Sequence, residues 1–170
     1  MRIEQTTSPY QLFRFQVTFS EQAGKSKAEK PGGEICSGAF AECSGLEGTM
    51  EPKVIKEGGR NWGVVQRSGP VTFATVILRR GMTRNRELWN WFSETQRGIY
   101  AHRLVAVITM YDPHGDPVLA WRLDEALAIK FKSADLNARS TEISIEELHL
   151  VHEGMSLTTP IAIVDNPRGK

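Results

Sequence analysis

The chain has 170 residues, 40% of them hydrophobic and 24% charged, the ordinary range for one globular domain with a real core. Twenty-one Lys and Arg against 20 Asp and Glu leave a formal net charge of +1, which excludes any global pull toward nucleic acid or anionic lipid. Cys36 and Cys43 are too few for a disulfide scaffold and match no paired Cys-x-x-Cys metal site, so they read as free thiols of a reducing compartment.

The stretch Met1 to Tyr10 is polar and lacks the apolar run of a signal peptide, and no segment approaches the roughly 18 apolar residues of a membrane helix. Cytoplasmic production without membrane insertion is the expectation. From Leu12 to Phe19 the side chains alternate, with Phe13, Phe15, Val17 and Phe19 on one face, the pattern of a half-buried strand. Glu21 to Gly33 is rich in Lys and Gly with almost nothing apolar, so it reads as a flexible insertion.

Gly38 to Leu46 and Thr49 to Glu57, separated only by Glu47-Gly48, suggest an exposed hairpin. Gly58 to Gly63 is a loop that sets Trp62 among glycines and polar groups. Val64 to Arg67 and Val71 to Arg79 suggest a second strand pair around Ser68-Gly69-Pro70. Thr83 can N-cap a helix starting at Arg84, with Leu88, Trp89 and Phe92 on its apolar face and Gly98 as the stop. This spacing predicts Trp89 and Phe92 in the core.

Val105 to Tyr111 and Val118 to Leu123 form a hairpin around the turn Asp112 to Pro117. Ala126 to Phe131 and Thr141 to Val151 are further strands. The apolar phase of the second slips between Ile145 and Leu148, as a bulge or burial on both faces would produce. The tail from Gly154 to Lys170, with Pro160 and Pro167, is either frayed or an added edge strand. The expected architecture is mainly β, a sandwich or barrel with one flanking helix. Its domain is residues 1–154 with a flexible insertion at 21–33, followed by a C-terminal extension at 155–170.

The residues that could carry chemistry do not converge. His149 and His152, near Glu146, Glu147 and Glu153, lie three apart on a strand and point to opposite faces, so no metal is expected. No Gly-x-Ser-x-Gly elbow is present, Gly58-Gly59 precedes no Lys-Ser/Thr pair, and Cys43 has no orienting partner in sequence. The chain is read as a non-enzyme with no cofactor.

Local charge is more informative. Between Lys53 and Arg86 lie eight bases (Lys53, Lys56, Arg60, Arg67, Arg79, Arg80, Arg84, Arg86) against Glu57 alone, a net of +7. Between Asp112 and Glu153 nine acids face four bases, a net of −5. Two solvated faces would explain this, as would a head-to-tail interface in which a basic side of one copy meets an acidic side of the next. A rival reading of the basic stretch is a nucleic-acid-binding β barrel with Trp62, Phe73, Trp89 and Trp91 as stacking platforms. Three of those four, however, fall where the strand and helix patterns place core.

Several segments together resemble the tail tube proteins of contractile phages and of extracellular contractile injection systems. They are Tyr10 to Phe15, Phe40 to Glu47, Ile55 to Gly59 with Asn61-Trp62, Val76 to Met82 running into Glu87 to Trp91, and Ile145 to Gly154. The resemblance implies hexameric rings stacked into a hollow tube inside a contractile sheath, and similarity to the tube protein of type VI secretion. It implies further copies of the chain, the sheath protein, baseplate or tube-initiator and terminator proteins, and lumen cargo as partners. The particle would be assembled in the cytoplasm and released. The long insertion and tail leave a baseplate-proximal tube initiator as the alternative to a main tube subunit. Met50, Lys53, Lys56, Arg60, Trp62 and Arg67 mix apolar anchors with cations in the manner of an interface. With the acidic Glu146 and Glu147, they are the candidate subunit-interface residues.

Overall fold

The computed structural model describes residues 14–21, 34–56, 58–59, 62–97, 103–136, 139, 141 and 143–158. Insertion residues 22–33, the interface candidate Arg60 and tail residues 159–170 lie outside them. The described chain is mainly β with one helix. In order the elements are β1 (Arg14–Glu21), β2 (Glu34–Ala39), β3 (Glu42–Ser44), β4 (Gly48–Met50), β5 (Lys53–Ile55), β6 (Val65–Arg67), β7 (Val71–Phe73) and β8 (Val76–Gly81). They continue as α1 (Glu87–Gln96), β9 (Leu104–Tyr111), β10 (Pro117–Lys132), β11 (Ile145–Val151) and β12 (Gly154–Thr158).

The strands follow one antiparallel path, β2-β1-β9-β10-β11-β8-β3, with β12 paired to β10 beside it. The expected strands 118–123 and 126–131 are a single 16-residue strand, β10. Its first half pairs with β9 and β12, and its second half with β11. The junction is Asp124-Glu125, where Glu125 has φ 53 and the β9 register shifts between Leu123 and Ala126. Asp124-Glu125 is a bulge that turns one strand from one sheet arm into the other.

The two arms enclose one core. Val17 and Phe19 of β1, Leu104, Ala106 and Ile108 of β9, Leu123 of β10, Val76 and Leu78 of β8, and Leu148 and Leu150 of β11 are all buried in it. Alternation along β1, β8 and β11 points every second side chain inward, as the two-residue strand period requires. On β11 the inward set is Glu146, Leu148 and Leu150, while Ile145 is exposed. The slipped phase is therefore neither a bulge nor two-sided burial; a carboxylate occupies an inward position.

Helix α1 closes the core, and its start differs from the expectation. Thr83 Oγ1 accepts from the Asn85 amide at 3.3 Å, and Asn85 Oδ1 accepts from the Glu87 amide at 2.8 Å. These two side-chain turns hold residues 83–86 out of the helix, which begins at Glu87. Leu88 and Trp91, three apart, then face inward, with Trp91 5.2 Å from Phe19. Trp89 falls on the outer flank, 47% exposed, where its ring meets Phe92 and Phe131. The core tryptophan of the helix is Trp91, and Trp89 is a surface residue.

The segment between β3 and β8 forms a different hairpin from the one expected. β4 pairs with β7 and β5 with β6, so the two arms are 48–55 and 65–73, and residues 58, 59 and 62 are turn between them. Pro52 and Pro70 lack amide hydrogens and interrupt the ladder between its two halves. There Gly69 lets the strands close, since a Cβ on it would sit 1.9 Å from the Glu51 carbonyl oxygen. At the root, Gly45 has φ +85, and a Cβ there would lie 2.1 Å from the Thr75 carbonyl oxygen. Gly45→Ala is expected to destabilise the domain by about 1 to 3 kcal/mol, read as a lower denaturation midpoint with an unchanged slope. The final strand β12 settles residues 154–158 of the tail as an edge strand on β10.

Candidate functional site

The hairpin 48–73 carries most of the proposed interface residues. Met50, Val54, Val64, Val71 and Trp62 are exposed on it, Trp62 at 95%. Its cations Lys53, Lys56 and Arg67 are exposed too, and none has an ion pair among the described residues. Lys53 stands directly across the ladder from Arg67, a like-charge pairing that costs stability in an isolated hairpin. Apolar side chains and unneutralised cations on a thin two-stranded ribbon form a surface suited to an acidic, partly apolar partner.

At the root of the ribbon, Phe73 packs on the His152 ring at 4.9 Å. His152 Nδ1 lies 3.0 Å from the Gly154 carbonyl oxygen, and burial pushes its pKa below the ordinary histidine value. A neutral ring is therefore the folded form. The stability it contributes is complete above the unfolded histidine pKa and is lost as pH falls toward the depressed folded value. Acidification is expected to loosen the hairpin root before the rest of the domain, read as lower protection of the amides of residues 71–74 near pH 5 than at pH 8 once the intrinsic pH dependence of exchange is divided out.

Glu146 and Glu147 are placed differently. Glu146 of β11 lies directly across from Arg80 of β8, and Glu147 from Arg79. Glu146 and Arg80 form an ion pair in which the two residues are only 6% and 5% exposed. Arg79 donates to Glu147 at 3.1 Å and to Glu42 at 2.9 Å, and His149 reaches Glu147 at 3.4 Å. The basic and acidic blocks of the sequence thus partly neutralise one another inside the subunit, through antiparallel pairing of β8 with β11. Of the two candidate interface acids, Glu146 has its carboxylate buried on Arg80.

Sequence reasoning missed an open pocket of about 900 Å³ beside this pair. Arg80 and Glu146 contribute to its lining, together with Trp89, Phe131, Arg84 and Arg86. The one available signal was the arginine-rich segment 84–86 just before a Trp-containing helix, which the expected helix start absorbed.

Of the four aromatics weighed as stacking platforms, Trp91 is buried and Phe73 is half-buried on His152, whereas Trp62 and Trp89 are exposed. Cys43 is half-buried, and burial raises its thiol pKa to about 11, which leaves almost no thiolate at neutral pH. Among the described residues no group of three His, Cys, Asp or Glu side chains is placed to hold a metal ion, and no helix is long and apolar enough to cross a membrane.

A family model described as T4-like virus tail tube protein gp19 matches residues 11–156. No curated protein matches the chain. Among solved structures, a chain of the anti-feeding prophage (AFP) baseplate, 6-fold symmetrised, is 26% identical, with 90% of this chain and 97% of that chain covered and a TM-score of 0.73. A chain of the PVC extracellular contractile injection system, in its sheath-tube complex in the extended state, is 18% identical over 91% and 94% of the two chains, with a TM-score of 0.71. Hcp1 from Flavobacterium johnsoniae is 14% identical over 86% and 96%, with a TM-score of 0.53. The last two are likenesses of fold. The match by sequence over most of its length, on a mainly β fold with one flanking helix, places the chain in the T4-like virus tail tube protein family.

Proposed function

We propose that the chain is the inner-tube subunit of a contractile phage-tail-like injection particle, forming hexameric rings that stack into a hollow tube. The observation that carries this reading is the hairpin 48–73, which exposes Met50, Val54 and Trp62 together with Lys53, Lys56 and Arg67, cations with no ion pair among the described residues. A lone soluble domain gains nothing from such a ribbon, whereas a neighbouring copy can cover its apolar side chains and supply carboxylates. The family match and the fold shared with AFP and PVC chains support the same reading. Its partners are further copies of itself, the surrounding sheath protein, and the baseplate and terminator proteins that end the tube, with the lumen open to cargo. Assembly takes place in the cytoplasm before the particle is released.

The function is mechanical. A contracting sheath drives a rigid tube through a target envelope, and the tube subunit contributes contacts that hold under load. Met50, Lys53, Lys56, Trp62 and Arg67 are the proposed subunit contacts on the ribbon. Trp62→Ala combined with Lys56→Glu is expected to abolish rings and tubes in negative-stain images and mass photometry, while circular dichroism and the melting transition stay those of the parent. A parent protein that remains monomeric over a wide concentration range, with its tail partners present, would overturn the reading. A second reading, the baseplate-proximal tube initiator, is supported by the 26% identity to a chain of the AFP baseplate. An initiator would form single rings that bind baseplate proteins without extending into tubes.

A further inference from the structure

We infer that the pocket at the Arg84–Arg86 end of the subunit receives the β9–β10 turn, Asp112 to Asp116, of another copy; this rests on the assembly reading above. The pocket has an aromatic wall, with Trp89 and Phe131 in edge contact at 5.3 Å. Arg84 and Arg86 are both exposed and make no ion pair among the described residues. The one carboxylate in the lining, Glu146, is bound to Arg80. An occupant must therefore bring an apolar face for the indole and carboxylates for two arginines.

The turn offers that chemistry in a fixed shape. Asp112 Oδ1 accepts the backbone amides of Asp116, Gly115 and His114 at 2.9, 2.8 and 2.9 Å, and Gly115 takes φ 98. All three bonds fall on one oxygen, Oδ1, and none of them uses Oδ2. The same bonds, led by the one from Asp116, hold the carboxyl pKa below its ordinary value, so it stays ionised. Pro113 and Asp116 are exposed beside it. A proline ring laid on Trp89, flanked by two carboxylates meeting Arg84 and Arg86, fills the pocket with a segment that is already ordered. Little conformational entropy is lost on docking.

Topology places donor and acceptor on the two ends of one element. The turn immediately precedes Pro117 at the start of β10, and the pocket is lined by Phe131 and Ser133 at its finish. A contact between different surface patches of identical subunits is heterologous and repeats from copy to copy, as stacking or ring closure requires. The hairpin 48–73 does not fit the same pocket, because its exposed cations Lys53, Lys56 and Arg67 would meet Arg84 and Arg86 with like charge.

The test is a charge swap read by the concentration at which the protein assembles. Arg86→Asp and Asp116→Arg, both at exposed positions and checked by circular dichroism, are each expected to raise that concentration at least about tenfold. The double variant in one chain, and an equimolar mixture of the two single variants, are expected to recover assembly. Tubes or rings that form equally well with Arg86→Asp, or a swap that does not recover, overturn the docking inference while leaving the assembly reading in place. A parent protein that never assembles overturns both.

Discussion

Replacing Trp91 by alanine is expected to cost about 3 to 5 kcal/mol of stability, the cost of removing a large aromatic side chain from a packed core. Trp91 is 4% exposed, sits 5.2 Å from Phe19 of β1, and ties α1 to the sheet arms together with Leu88. The matching change at Trp89 is expected to cost only about 1 kcal/mol, the scale of a surface aromatic contact, because that ring meets Phe92 and Phe131 at the rim. Urea denaturation of the two variants separates them. Equal losses would show that the helix is rotated relative to this arrangement.

Glu146→Ala is expected to destabilise the domain by about 3 to 5 kcal/mol, because it leaves the Arg80 guanidinium buried without its counter-ion. Arg80 has two further contacts, an Nη2 donation to the Asn85 carbonyl oxygen at 3.4 Å and the face of the Phe40 ring at 5.7 Å, and neither neutralises its charge. A paired change, Arg80→Met with Glu146→Leu, is expected to recover most of the loss, since well-packed apolar residues often replace a buried ion pair without penalty. Thermal melts of the single and double variants close the cycle. A single variant that melts within about 2 °C of the parent, less than a 1 kcal/mol change produces in a domain of this size, would mean the pair is solvated.

The strands of the core were legible wherever polar and apolar residues alternate. Phe15, Val17 and Phe19 announce themselves in this way, Val105 to Tyr111 by a continuous run of apolar and β-branched residues, and the single helix by apolar residues at helical spacing. What alternation cannot give is the partner of a strand. Val71 to Phe73 could pair across Ser68-Gly69-Pro70 or across Gly58 to Gly63, and alternation fits both; the fold takes the second, pairing β7 with β4. The gap left between Leu123 and Ala126 lies inside a strand that continues through Asp124-Glu125, and Glu146, grouped with the acids of an outer face, is set on Arg80 by antiparallel pairing. Local capping chemistry at Thr83 and Asn85 sets the helix start at Glu87 and not Arg84, and the inward face carries Leu88 with Trp91, which leaves Trp89 on the outer flank.

The hairpin candidates Met50, Lys53, Lys56, Trp62 and Arg67 could be named from sequence because anchors and cations crowd one glycine-bounded segment. The pocket could not. Arg84 and Arg86, Phe131 and Glu146 come from separate parts of the chain, and only the fold brings them together.

The continuity of β10 bears on how the subunit carries load. Its backbone crosses from one sheet arm to the other at Glu125, so tension applied to the β9 side reaches the β11 side through covalent bonds instead of through side-chain packing. The arms cannot slide apart without first stripping the ladders on both sides of the bulge. Amide protons on β10 either side of Asp124-Glu125 should therefore exchange together, at the rate of global opening, as one cooperative unit. A tube wall built from such subunits would fail at the joints between copies before any single subunit came apart.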